Sequence, residues 1–213
     1  MRQLLFILLI GLPAGLIHAQ EPDTTNNVDE DTYKTLISDD INVTGFAGPY
    51  TTISGIDGHT NLMMGGGGAI IFADWLLIGG YGTGMTSNME AKKGEFIEKE
   101  LDFGHGGFWT GCIIHSKGFI HPAVSAMAGW GNISVTGASG YPDRERYDKF
   151  FCVTPVLEIE INAADFLRVC IGGSYRYISG LEFSDYSDSD FSSPEFWLCL
   201  KFGWFKPYQP DID

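Results

Sequence analysis

The chain has 213 residues, with 27 acidic against 13 basic side chains and a formal net charge of −14. Such acidity disfavours nucleic acid and anionic lipid surfaces as partners, because both need basic patches. Its 28 Gly, 15 Phe, 9 Tyr and 5 Trp, with short apolar runs and no sustained helical period, point to an all-β chain of many strands.

The first element is a targeting segment. Arg2 supplies a positive start, residues 4–12 an apolar stretch, and Ile17-His18-Ala19 ends on a small residue. This is the layout of a secretory signal peptide, residues 1–19, cleaved between Ala19 and Gln20. The stretch is too short for a spanning helix. Loss of Arg2 takes the mature chain to a net −15, and its roughly 190 residues suit one domain. Residues 20–40, rich in Asp, Glu, Thr and Asn, read as a flexible acidic leader.

Eight strands follow, expected at residues 41–53, 61–72, 75–85, 101–114, 119–135, 151–161, 166–178 and 196–205, before a tail at 206–213. The connections alternate in length. Those at 73–74, 115–118 and 162–165 are tight, those at 86–100, 136–149 and 179–195 are long and polar, and the first, at 54–60, is intermediate. A meander of this kind gathers its short turns at one end and its long loops at the other, as outer-membrane barrels do.

Period-two alternation is clearest in the last three strands. Phe151, Val153, Leu157, Ile159 and Ile161 oppose Cys152, Thr154, Glu158, Glu160 and Asn162. Leu167, Val169, Ile171, Tyr175 and Tyr177 oppose Arg168, Cys170, Ser174 and Arg176, and Phe196, Leu198, Leu200, Phe202 and Trp204 oppose Trp197, Cys199, Lys201 and Gly203. Strands of about 10 to 13 residues match the roughly 9 to 11 that cross a bilayer at a tilt, whereas strands elsewhere average 5 to 6. Aromatic residues gather at strand ends, as in interfacial girdles. The glycines of the first four strands suit a narrow barrel that curves sharply or makes room for bulky lumen groups.

Gly45-Phe46-Ala47-Gly48-Pro49, the run 65–69, Gly79-Gly80-Tyr81-Gly82, Phe103-Gly104-His105-Gly106-Gly107, Thr154-Pro155, Gly173-Ser174-Tyr175-Arg176 and Lys201-Phe202-Gly203-Trp204-Phe205 resemble segments of small, uncharacterised Bacteroidota outer-membrane β-barrel proteins of OmpA/OmpX-like architecture. The resemblance covers the chain after about residue 40. It implies an eight-stranded antiparallel up-and-down transmembrane β-barrel over residues 41–205, and brings no catalytic residue with it. Residues 206–213 depart from the pattern of ending on a terminal aromatic.

If the sixth and seventh strands turn about Ala164, Glu160 faces Arg168, Glu158 faces Cys170 and Cys152 faces Arg176. With Lys201 these form a candidate lumen network of Glu158, Glu160, Arg168, Arg176 and Lys201, in which charge pairing fills a plugged core. Cys112, Cys152, Cys170 and Cys199 are expected as free lumen thiols, the separation along the barrel keeping Cys152 from Cys170. Asp185, Asp188 and Asp190 are weak calcium candidates, lacking the spacing of a calcium loop. His59, His105, His115 and His121 are assigned surface or packing roles. No cofactor and no catalytic centre are expected.

The expected partners are outer-membrane lipid and the insertion machinery, with any extracellular partner unspecified. The leading expectation is a structural or surface-interaction barrel that displays loops outward. A narrow channel or small-ligand carrier is the alternative, and a barrel enzyme comes third.

Overall fold

The computed structural model describes residues 41–86, 89–90, 100–136, 142–183 and 185–205. The expected signal peptide with its Ala19 and Gln20 junction, the expected acidic leader and the tail lie outside the described residues.

The strands are β1 (Val43–Ile56), β2 (His59–Phe72), β3 (Leu76–Met85), the two-residue β4 (Met89–Glu90), β5 (Glu100–Ile113), β6 (Ile120–Thr136), β7 (Pro142–Ala164), β8 (Leu167–Ser179) and β9 (Ser193–Trp204), with a short helix α1 (Asp188–Phe191) before β9. Consecutive long strands pair antiparallel, β1 pairs with β9, and β3 pairs with β5. Eight long strands therefore close into a barrel, and β4 only extends the edge of β5. Closure leaves no long edge open to pair with another chain.

Turn chemistry accounts for the hairpins. Asp57 and Gly58 take φ of 49° and 74°, the two positive values that a type I′ turn requires. The first connection is thus a two-residue turn at the loop end, not the intermediate loop expected. The Asp-Gly pair was its signal. Ala73 and Asp74 also have positive φ, 51° and 64°, held by the Ala73 amide on the Asn42 carbonyl at 2.8 Å and by the Asn42 amide on the Asp74 carboxylate.

Two long connections also differ from expectation. The sixth strand, expected at 151–161, begins at Pro142, and β6 and β7 stay paired out to Thr136↔Pro142. Past the apolar part of the wall a strand needs no apolar face, so pairing continues through residues that read as loop. The connection between β8 and β9 is not a solvated tip either. It carries α1 and turns Leu181, Phe183, Tyr186 and Phe191 into a cluster with Ile56, Met63, Phe103, Phe150 and Ile178, capping one mouth of the barrel.

The β7–β8 register also needs correction. Glu160 faces Cys170, Glu158 faces Gly172 and Cys152 faces Ile178, with an irregularity between Asn162 and Ala164 at the turn. Because the displacement spans two positions, every side chain keeps its face. Asn162 is held at the turn by donating to the Ser116 and Gly118 carbonyls, at 3.2 and 2.7 Å.

The lumen is filled. Phe46, Tyr50, Trp109 and Trp197 pack edge-on or stacked at its centre, with Tyr50 and Trp197 at 4.4 Å. Glycine makes the space. A Cβ on Gly67 would stand 3.1 Å from the Trp109 ring, and one on Gly131 would stand 2.3 Å from Phe150. A gap of about 10 Å³ beside Tyr50, His105, Glu195 and Trp197 remains, at or just below the space one water needs.

Candidate functional site

Local alternation decides where the charge goes. On β7 the outward residues are Phe151, Leu157 and Ile159, while Cys152, Thr154, Glu158 and Glu160 are buried inward. On β8 Arg168, Cys170, Ser174 and Arg176 are buried, and on β9 Glu195, Trp197, Cys199 and Lys201 are. The barrel therefore turns its charges in and its hydrocarbon out.

The outer wall continues this pattern. Ile70, Ile78, Phe108, Val124, Leu157, Ile159, Ile171 and Leu198 are exposed outward, Phe108 at 70%. Among the described residues, no outward strand position between the tight turns and the level of Asp102 and Lys149 carries a charge. At the turn end, Trp75, Phe119, Phe166 and Trp204 stand exposed, Trp204 at 82%, and near the other end so do Trp130, Tyr147, Tyr175 and Tyr177.

Inside, the expected network is two networks. The first gathers four of the five expected residues near the turn end. The Lys201 ammonium lies 2.6 Å from Glu158 Oε1 and 2.5 Å from Glu160 Oε1. Glu160 Oε2 accepts from Arg168 Nη1 at 3.0 Å and pairs with His121 Nε2 at 3.0 Å. Glu158 Oε2 accepts from the Trp197 indole at 2.7 Å. The Arg168 guanidinium is covered by the Phe205 ring, 4.0 Å from its centroid. Alternating charges with every carboxylate bonded are the condition under which a buried ionic cluster holds together.

Arg176 belongs to the second network, at the capped mouth, and does not face Cys152. Its Nη1 donates to Glu195 Oε1 at 2.8 Å, its Nε to the Phe191 carbonyl at 2.8 Å and its Nη2 to the Gly55 carbonyl at 3.1 Å. Ser174 completes Glu195, donating to Oε2 at 2.8 Å. One guanidinium thus ties the wall to the capping helix, and Phe103, stacked between Phe150 and Phe191 at 4.8 and 5.4 Å, lies alongside.

Glu195 and His121 were missed as network members. Glu195 shares the parity of Trp197, Cys199 and Lys201, so carrying the β9 alternation two residues back finds it. His121 shares that of Ala123, Ser125 and Met127, but nothing local marks a carboxylate across the seam. His105 meets the Tyr81 hydroxyl at 3.2 Å, and His115 sits in its turn with φ of 56°.

Glu158, Glu160 and Cys170 bring ligand atoms within 4.8 Å of one another, yet the cation among them is the Lys201 ammonium. The weak calcium candidates do not converge. Asp188 accepts the Leu181 and Gly180 amides at 2.8 and 3.4 Å, Asp190 accepts the Ser187 amide at 2.9 Å, and Asp185 is exposed. The Asp188 and Asp190 carboxylates hold backbone amides of the connection. Cys112 is a further correction, since it is exposed outward and only the other three cysteines are buried.

No protein-family model matches the chain, and no curated protein is significantly similar to it. Solved structures are similar in fold. The crystal structure of Neisserial surface protein A (NspA) aligns with a TM-score of 0.57 at 10% identity, over 75% of this chain and 96% of that one. Ail, the attachment invasion locus protein of Yersinia pestis, aligns in complex with the heparin analogue sucrose octasulfate at 0.48, with 13% identity over 77% and 99%. A second structure of Ail gives 0.44, at 12% identity over 76% and 99%. The likeness to NspA, together with the strand pairing above, makes this chain an all-β, closed, eight-stranded antiparallel barrel.

Proposed function

We propose that the chain is a bacterial outer-membrane barrel of the small type its Bacteroidota-like segments resemble, with a structural and surface-interaction role. The observation that carries this reading is the inverted polarity of the wall. A soluble barrel would keep charge outside and hydrocarbon inside, whereas here Glu158, Glu160, Arg168, Arg176, Glu195 and Lys201 are all interior and the outward belt is uncharged. Aromatic residues at both rims add the girdles of a bilayer-spanning wall. Outer-membrane lipid and the insertion machinery are then its obligatory partners, reached by export through cleavage between Ala19 and Gln20. The NspA likeness to a surface protein agrees with this reading.

The short turns face the periplasm and the β6–β7 and β8–β9 connections face outward, where a rigid wall presents them for contact. Side chains fill the lumen, which weighs against the channel alternative. Fractionation tests the proposal: the processed protein is expected with the outer membrane, and its gel mobility is expected to change on heating. Recovery as a soluble periplasmic monomer overturns it. A thiol label added to intact cells is expected to reach a cysteine at Ser187 and not one at Lys117; the reverse pattern inverts the orientation.

A further inference from the structure

The seam between the last two strands holds a thiol pair that neither network uses. Cys170 on β8 stands directly opposite Cys199 on β9. Both face the lumen, 0% and 1% exposed. Directly opposed residues of an antiparallel pair have Cα atoms about 4.5 to 5.5 Å apart, inside the roughly 4.4 to 6.8 Å that a disulfide spans.

The other cysteines are out of reach. Cys152 lies opposite Ile178, eight positions along β8 from Cys170 and so about 26 Å away at about 3.3 Å per residue. Cys112 points outward from β5, which is no neighbour of β8 or β9.

We infer that Cys170 and Cys199 form a disulfide site, closed across the β8–β9 seam by a disulfide-bearing oxidant. The inference rests on the export proposed above, because that compartment supplies such oxidants. One thiolate attacks the oxidant's disulfide and forms a mixed disulfide, and the second displaces the oxidant's remaining thiol. Two electrons and two protons pass to the oxidant, which leaves as a dithiol. Both protein thiols are buried once the barrel is closed, so exchange takes place on the chain before closure. The bond would enclose most of β8, the capping connection with α1, and β9 as far as Cys199 in one loop. That loop holds Arg176, Glu195 and Phe191, the groups that seat the cap.

The full chain, expressed with export and extracted from membranes, tests this. Alkylation in denaturant without reductant is expected to modify two of the four cysteines, and trypsin, cutting after Arg168, Arg176 and Lys201, is expected to leave a cross-linked pair of peptides holding Cys170 and Cys199. Cys170→Ser is expected to make all three remaining cysteines alkylable. Four alkylated cysteines in a barrel with heat-dependent mobility, or a bond to Cys112 or Cys152, overturns the assignment. A chain left unprocessed in the cytoplasm counts against export alone. The pair is then read from the same chain folded into detergent micelles with oxidised and reduced glutathione, where the absence of this cross-link overturns it.

Discussion

Lys201→Met removes the cation at the centre of the turn-end network while keeping an apolar stem of similar length. Glu160 would retain Arg168 and His121, each at 3.0 Å. Glu158 would retain only the Trp197 indole, at 2.7 Å. One fully buried carboxylate is left without a charge partner, a change that typically costs about 3 to 5 kcal/mol. Adding Glu158→Gln removes that orphaned charge and leaves an amide that can still accept from Trp197. The double variant is therefore expected to recover part of the loss, with a coupling of about 1 to 3 kcal/mol between the two sites. Urea unfolding of the barrel in phospholipid vesicles, followed by tryptophan fluorescence and by the mobility of unheated samples, measures both quantities. A loss under about 1 kcal/mol for Lys201→Met, the range of solvent-exposed ion pairs, would refute the reasoning, because it would mean that water screens the network.

Other substitutions probe the wall, the packing and the cap. Leu198→Arg puts a cation outward between Thr51 and Ile171 and is expected to cost about 2 to 4 kcal/mol in vesicles; a neutral effect there would speak against a bilayer-facing wall. Gly131→Leu drives a side chain into Phe150 and the Gly104 carbonyl, 2.3 and 2.4 Å from its Cβ, and is expected to destabilise by at least the 1 to 3 kcal/mol typical of overpacking. Gly82→Ala, with nothing within 4 Å, is expected within about 0.5 kcal/mol of the parent in the same titration. Arg176→Met breaks the bonds to Glu195, Phe191 and Gly55 and is expected to speed protease cleavage between Ser179 and Ser193, with unchanged cleavage refuting its role in seating the cap.

Strand count, facing and the ends of the barrel were legible in the residues, since each follows from a local rule. Period-two alternation assigns Glu158, Glu160, Arg168, Arg176 and Lys201 to one face and Leu157, Ile159, Ile171 and Leu198 to the other whatever the register. Tight connections at Ala73-Asp74 and His115 to Gly118 mark one end without knowledge of any partner strand. Register is different. Whether Cys170 meets Glu158 or Glu160 depends on an irregularity at Asn162, and that it stands beside Cys199 depends on the β8–β9 register, which no single segment encodes. The division of the charges into two networks likewise depends on which strands are neighbours around the barrel: His121 reaches Glu160 across the β6–β7 seam from 39 positions away. The fate of the β8–β9 connection was least legible. Its aspartates read as a solvated tip, and only the apolar mouth formed by Ile56, Met63, Phe103 and Phe150, drawn from four different strands, gives Phe183, Tyr186 and Phe191 somewhere to bury, so that the connection folds inward as a cap.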